Sequence, residues 1–211
     1  MICPIKKFPP ISIPLSLNET KIRKTITNIK TYDNLSNILI SKNIQADICY
    51  AAVQIDYMLK KLQIPDLFLK NMASTDFIYP FIMTLGNFSQ TLYDSILKTE
   101  EKFLFGKIFS SLLDDAMAIF KIFIESKFGA TDLIPLCPGS FPNFPLEVQS
   151  HIFDFFEEES SIIKTTLTDF FSIFPIFSLS GYLGNWSELK DCSSCSGKLC
   201  YLNKFYCINN G

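Results

Sequence analysis

Four prolines and one glycine fall within the eleven residues from Pro135 to Pro145, in the segment LIPLCPGSFPNFPLEVQ. Proline fixes φ and carries no N–H, so neither a helix nor a central strand runs through such a stretch. The backbone there must form a stiff, irregular loop, and Gly139 lets it come close to a ligand. Whatever this chain folds into is assembled from elements on either side of that loop.

Before the loop, residues 1–17 are proline-rich and should run extended over a surface or add an edge strand. NETKIRKTITNI, Asn18 to about Ile29, opens on polar capping residues and suggests a short helix, with a second candidate at Asn34 to Leu39. DICYAAVQIDYMLKKL, Asp47 to Leu62, repeats apolar residues at three- and four-residue steps and predicts an amphipathic helix ending near Lys60 and Lys61. TDFIYPFIMT, Thr75 to Thr84, is β-branched and aromatic and predicts a buried strand ending at Gly86. Helices are expected from about Phe88 to Lys98 and from Lys102 to Ser126. In the second, Phe105, Phe109, Leu112, Leu113, Ala116, Phe120 and Phe123 make one apolar stripe, which is core rather than a cofactor box.

After the loop, Pro145 and Glu147 suit the first turn of a helix running to about Glu158. Strands are expected at Ile162 to Leu167 and Phe170 to Gly181, with a turn at Thr168 and Asp169. Helices and strands mixed without regular βαβ alternation argue for an α+β domain with helices flanking a mixed or antiparallel sheet.

A second feature dominates the C-terminus. Cys192, Cys195, Cys200 and Cys207 are spaced C-x2-C-x4-C-x6-C, close enough for their sulfurs to converge on one point. The expected arrangement is therefore an extended segment at 1–17, one domain at 18–187 and a cysteine-rich, metal-binding tail at 188–211. Four thiolates at this spacing suit a [4Fe-4S] cluster or a tetrahedral zinc, with unliganded thiols as the remaining alternative. Cys3, Cys49 and Cys137 read as isolated small residues.

Composition excludes several function classes. A formal charge of −2 and a pI near 5.5 give no basic face for a phosphate backbone, so nucleic acid is not an expected partner. MICPIKKFPP lacks the unbroken apolar run of a secretory signal, and no segment offers about 20 apolar residues for a membrane span. The expectation is a cytoplasmic protein with reduced thiols. A His-centred dyad would have to use His151, the chain's single histidine, which reads as a helix-boundary residue. There is no G-x-S-x-G, P-loop, G-x-G-x-x-G or H-E-x-x-H pattern. Asp114 and Asp115 read as solvated carboxylates, Phe144 as packing, and Trp186 as a residue closing the core.

Four phrases together resemble the activation domain of cobalamin-dependent methionine synthase, in its short stand-alone form found chiefly in anaerobic bacteria. FIYPFIMTLGNF (77–88) is similar to that family's apolar strand ending in Thr-x-Gly, and FGKIFSSLLDDAMAIF (105–120) to its helix with an Asp followed by small residues. PGSFPNFPLEVQSHIF (138–153) resembles its Pro-Gly loop followed by Pro-Leu and a Gln, and TTLTDFFSIFPIFSLSG (165–181) its paired strands. Many stand-alone members also end in a cysteine tail.

The resemblance implies a corrinoid protein, or a cobalamin-dependent methyltransferase, as partner. It implies no catalytic side chain, but an accessory role in reductive activation of cob(II)alamin. The Pro-Gly loop would carry ligand contacts at Pro138, Gly139 and Ser140; Thr84 and Gly86, at the end of a strand, are further candidates for ligand contact, with a tight strand-to-helix connection as the structural alternative. The family's Arg-x-x-Pro-Gly-Tyr motif reads differently here, with Pro135 in the arginine position and Ser140 in the tyrosine position. Arginine supplies a charged fork for the carboxylate of S-adenosylmethionine, and proline has no equivalent. Binding of that ligand in the family's manner is therefore not expected, and the cysteine tail becomes the natural source of an electron; the alternatives are a non-catalytic interaction module with a structural zinc tail and a stand-alone S-adenosylmethionine-binding protein.

Overall fold

The computed structural model describes residues 5–16, 43–55, 64, 76–140 and 144–186. Its centre is a five-stranded antiparallel sheet built from β1 (Ile5–Leu15), β2 (Ile44–Gln54), β3 (Phe77–Thr84), β4 (Ile134–Leu136) and the last strand, Ser178–Gly184, in the order first, second, third, last, fourth. Between β3 and β4 lie α1 (Gly86–Ser95) and α2 (Thr99–Phe128). After β4 come a 3-10 turn at Leu146–Val148, α3 (Gln149–Phe155), α4 (Glu157–Ile162) and a small hairpin of β5 (Thr166–Leu167) and β6 (Ile173–Phe174), before β7 (Ser178–Gly184).

The sheet is buried on both sides, and each side follows from strand alternation. Ile48, Tyr50, Phe81, Met83 and Leu183 pack with Phe109, Ala116 and Phe120 of α2. Cys49, Val53, Ile78, Ile82 and Tyr182 face the other way and pack with Phe144, Ile152 and Phe156 of the loop and α3–α4 layer. Helices thus cover both faces of one sheet, as the α+β expectation required.

The expected edge strand at the N-terminus is β1. Its register shifts between Phe8 and Ile11, where Pro9 and Pro10 cannot donate to the ladder. The strand ending at Thr84 and the long helix stand as read, and the helix stops at Gly129, which is left-handed at φ 68° and donates to Glu125 O. Pro80 sits mid-sheet, and the β2–β3 pairs step over it from Tyr50–Phe81 to Val53–Ile78.

Four elements differ from the sequence expectation. The predicted helix beginning at Asp47 is strand β2 as far as Gln54. Because β2 is buried on both faces, nearly every position is apolar, and that run satisfies a helical spacing as readily as a strand. The predicted strand Ile162 to Leu167 is mostly the end of α4 and a turn, with only Thr166–Leu167 extended, and Phe170 to Gly181 is split into β6, a bend and β7. The helix after Pro145 likewise runs past Glu158, as a 3-10 turn and two short helices ending at Ile162. The candidate helices at 18–29 and 34–39, and residues 56–62 of the third, lie outside the described residues.

Candidate functional site

The sheet register sets the candidate residues at one end of the molecule. β3 and β4 both lie antiparallel to β7, so their carboxyl ends point the same way and flank the start of β7. Thr84 is paired with Ser178 at that end, and Leu136 with Tyr182, two residues before Pro138. The register thus brings Thr84, Gly86, Pro138, Gly139 and Ser140 to the same edge, with β7 between the two groups.

The Pro-Gly loop is built from its own backbone. Gly139 takes φ 82° and donates to Phe144 O at 2.6 Å, while Ser140 N–H donates to Cys137 O at 3.1 Å. A Cβ on Gly139 would meet only the Leu146 side chain, which is exposed and can move, so it is the left-handed backbone that calls for glycine. Pro138 is buried, whereas Gly139 and Ser140 are exposed. Beneath them the chain is tightly packed: a Cβ on Gly181 would meet Leu136 O at 2.5 Å and Cys137 Sγ at 3.1 Å.

Thr84 is fully buried. Its Oγ1 accepts from Gly86 N–H at 2.9 Å and lies 2.8 Å from Ser178 Oγ, which donates to Pro175 O at 2.6 Å. Gly86, at φ 74°, starts α1, and its carbonyl accepts from Ser89 Oγ at 2.8 Å. The geometry makes Thr84 and Gly86 the joint between β3, α1 and β7, shaping the edge from below.

Two buried glutamines, not singled out as site residues by the sequence reading, connect the edge to residues 168–178. Gln149 Nε2 donates to Phe171 O at 2.7 Å, and its Oε1 accepts from Ser180 Oγ at 2.9 Å. Gln90 Oε1 accepts from Ile176 N–H at 2.9 Å, and its Nε2 donates to Asp94 Oδ2 at 2.9 Å. Glutamine on a short helix reads as solvated unless something marks it, and the only mark on Gln149 was its place after the Pro-Leu of the loop.

Titratable chemistry is sparse at this edge. Burial pushes the Cys137 thiol up to about 12, and burial likewise lifts Cys49 to about 12, so neither is a thiolate at neutral pH. Burial also raises Tyr182. Among the described residues no group of three His, Cys, Asp or Glu side chains is placed to hold a metal. Cys192, Cys195, Cys200 and Cys207 lie outside the described residues. Pro135 is buried within β4, paired with Leu183, and Arg23, the single arginine, is outside the described residues. Among the described residues of the loop none carries a guanidinium. No helix of the described residues is long and apolar enough to cross a membrane.

Comparison with solved structures finds the crystal structure of the MetH reactivation domain bound to AdoHcy, at TM-score 0.52 and 13% identity, over 87% of this chain and 80% of that one. The fold is that of the MetH reactivation domain. No family model matches the sequence, and no curated protein matches it. The reactivation-domain architecture is thus shared at 13% sequence identity. The carboxyl ends of β3 and β4, with the Pro-Gly loop, remain the edge at which this chain's own residues are organised.

Proposed function

We propose that the protein is an accessory module for reactivating a cobalamin-bearing protein, either a methionine synthase or a corrinoid methyltransferase. The observation that carries this reading is the reactivation-domain fold combined with the stiff loop Pro138–Gly139–Ser140 at the exposed end of the sheet. The module's contribution is position: a rigid edge holds the partner's cofactor in one geometry and excludes water from it. Pro135, buried in β4, stands where the resembled family carries its arginine, which favours docking and electron delivery over presentation of S-adenosylmethionine.

On this reading the domain begins with strand β1 rather than at residue 18, and the cysteine tail 188–211 is its electron source. An iron–sulfur cluster on Cys192, Cys195, Cys200 and Cys207 would supply one electron to cob(II)alamin on the partner, whereas zinc on the same thiolates would supply structure alone. The zinc form corresponds to a non-catalytic interaction module with the same docking edge.

Anaerobic purification of the full chain, with iron, sulfide and zinc analysis, separates the two. Iron and sulfide with visible absorbance that bleaches on reduction support electron delivery; stoichiometric zinc without colour overturns it and leaves docking. Titration of a methionine synthase cobalamin-binding module in its cob(II)alamin form tests docking itself, and a wild-type chain that leaves the cobalamin spectrum and the module's mobility unchanged overturns the activation reading.

A further inference from the structure

β1 is the least buried strand of the five-stranded sheet. Of its eleven side chains only Ile13 is buried, and the run includes Pro9, Pro10 and Pro14, none of which can donate to the ladder. The bulge between Phe8 and Ile11 interrupts the pairing further. Its neighbour β2, by contrast, is buried at every position except Gln45, Asp47 and Gln54. A long span of chain from Leu15 to Ile44 stands where a tight turn of about two to five residues would fasten a hairpin partner. A strand with so little apolar burial opens at a lower free energy than the core beside it.

The first half of β1 is held by two adjacent residues that face opposite layers. Phe8 turns to α2, where it stacks on Tyr50 and meets the Phe128 ring edge-on at 5.4 Å. Lys7 turns to the α3–α4 layer: its Nζ lies 3.1 Å from Glu159 Oε2, and 5.0 Å and 5.9 Å from the ring centroids of Phe155 and Phe156. The Glu159 side chain is 14% exposed and that of Lys7 37%, so the pair attracts more strongly than one in open water yet still responds to salt. Lifting β1 from the sheet parts that pair.

We infer that β1 is a strap that opens apart from the rest of the sheet, and that the Lys7–Glu159 pair holds it shut with a strength set by the ionic strength. Opening bares the edge of β2 from Ile44 to Val53 and unclips the α2 and α3–α4 layers along that side. Salt thereby governs access to an apolar, ready-made strand edge. The device is separate from the activation reading and stands or falls without it.

Hydrogen exchange of the full chain tests this. In the wild type the amides of residues 5–15 exchange faster than those of β3 and β7. Sodium chloride at about 1 M accelerates them about fivefold, while β3, β7 and α2 keep their rates. Lys7→Met keeps an apolar stem over the Phe155 and Phe156 rings and removes the charge. It reproduces the acceleration in low salt, and added salt then changes nothing further. Glu159→Gln gives the same rate, and the double variant is no faster than either single one. Wild-type exchange of residues 5–15 at the rate of β3 and β7, an unchanged rate in either single variant, or a salt response that survives in Lys7→Met overturns the inference.

Discussion

The Lys127 ammonium lies 2.6 Å from the Tyr50 hydroxyl, joining the last turn of α2 to the middle of β2. The same nitrogen lies 4.2 Å from the Phe8 ring centroid and 5.1 Å from that of Phe123, and Phe8 stacks on Tyr50 at 5.1 Å. One cation therefore ties the edge strand β1, the strand beside it and the long helix together. Lys127→Met, which keeps the length and loses the charge, is expected to lower stability by about 1 kcal/mol. Urea denaturation measures it, and an unchanged midpoint would show that the rings alone hold the corner.

At Gly181 β7 leaves no room for a side chain against β4. A Cβ there would sit 2.5 Å from the Leu136 carbonyl oxygen, a backbone atom that cannot swing aside. Gly181→Ala is expected to destabilise the fold by about 2 kcal/mol and to shift the loop that begins at Cys137. Thermal unfolding and proteolysis at the loop report the two effects, and a variant as stable as the parent would mean that β4 can retreat from β7 without loss.

The two buried thiols make stability fall in alkali. Cys49 and Cys137 ionise at about 12 when folded against an ordinary 9.0, with desolvation the leading cause at both. Between those values the unfolded chain releases protons that the folded chain retains, so unfolding gains and stability declines as pH rises. The slope is about 1.4 kcal/mol per pH unit for each thiol. Stability measured from pH 7 to 11 should hold level to about pH 9 and then fall, and the double variant Cys49→Ala with Cys137→Ala should flatten that fall. An unaltered slope in the double variant would assign it to other groups.

Pro135 occupies a buried position in β4, opposite Leu183. Pro135→Arg therefore buries an unpaired charge rather than creating a ligand contact, and is expected to cost about 3 kcal/mol or more. Calorimetric titration of the variant with S-adenosylmethionine should show no heat beyond that of the parent. A stable variant that binds the ligand would place the position at the surface of a working site and overturn this account of β4.

How much of this was legible in the sequence depended on burial. The stripe from Phe105 to Phe120 announced α2 because only one of its faces is covered, and β3 was recognisable from its β-branched and aromatic run ending at Thr84. β2 was misread because Ile48 and Tyr50 face α2 while Cys49 and Ala51 face α3, which erases the alternation that marks a strand. The Pro-Gly loop declared itself through its prolines. Gln90 and Gln149 did not, because their partners Ile176 and Phe171 lie in the segment 168–178, distant in sequence from Gln90 by 86 positions at the Ile176 bond. Tertiary satisfaction of a polar side chain leaves no local pattern.

The strand order has a consequence for how the molecule comes into being. β3 and β4 are never neighbours; the strand that joins them, Ser178–Gly184, is the last of the described strands to be made. While the chain grows, the edge of β3 from Tyr79 to Thr84 stays open until that late arrival pairs with it. The sheet closes like a keystone arch, and any chain shortened ahead of Ser178 keeps two raw edges, an invitation to aggregate rather than a smaller version of the fold.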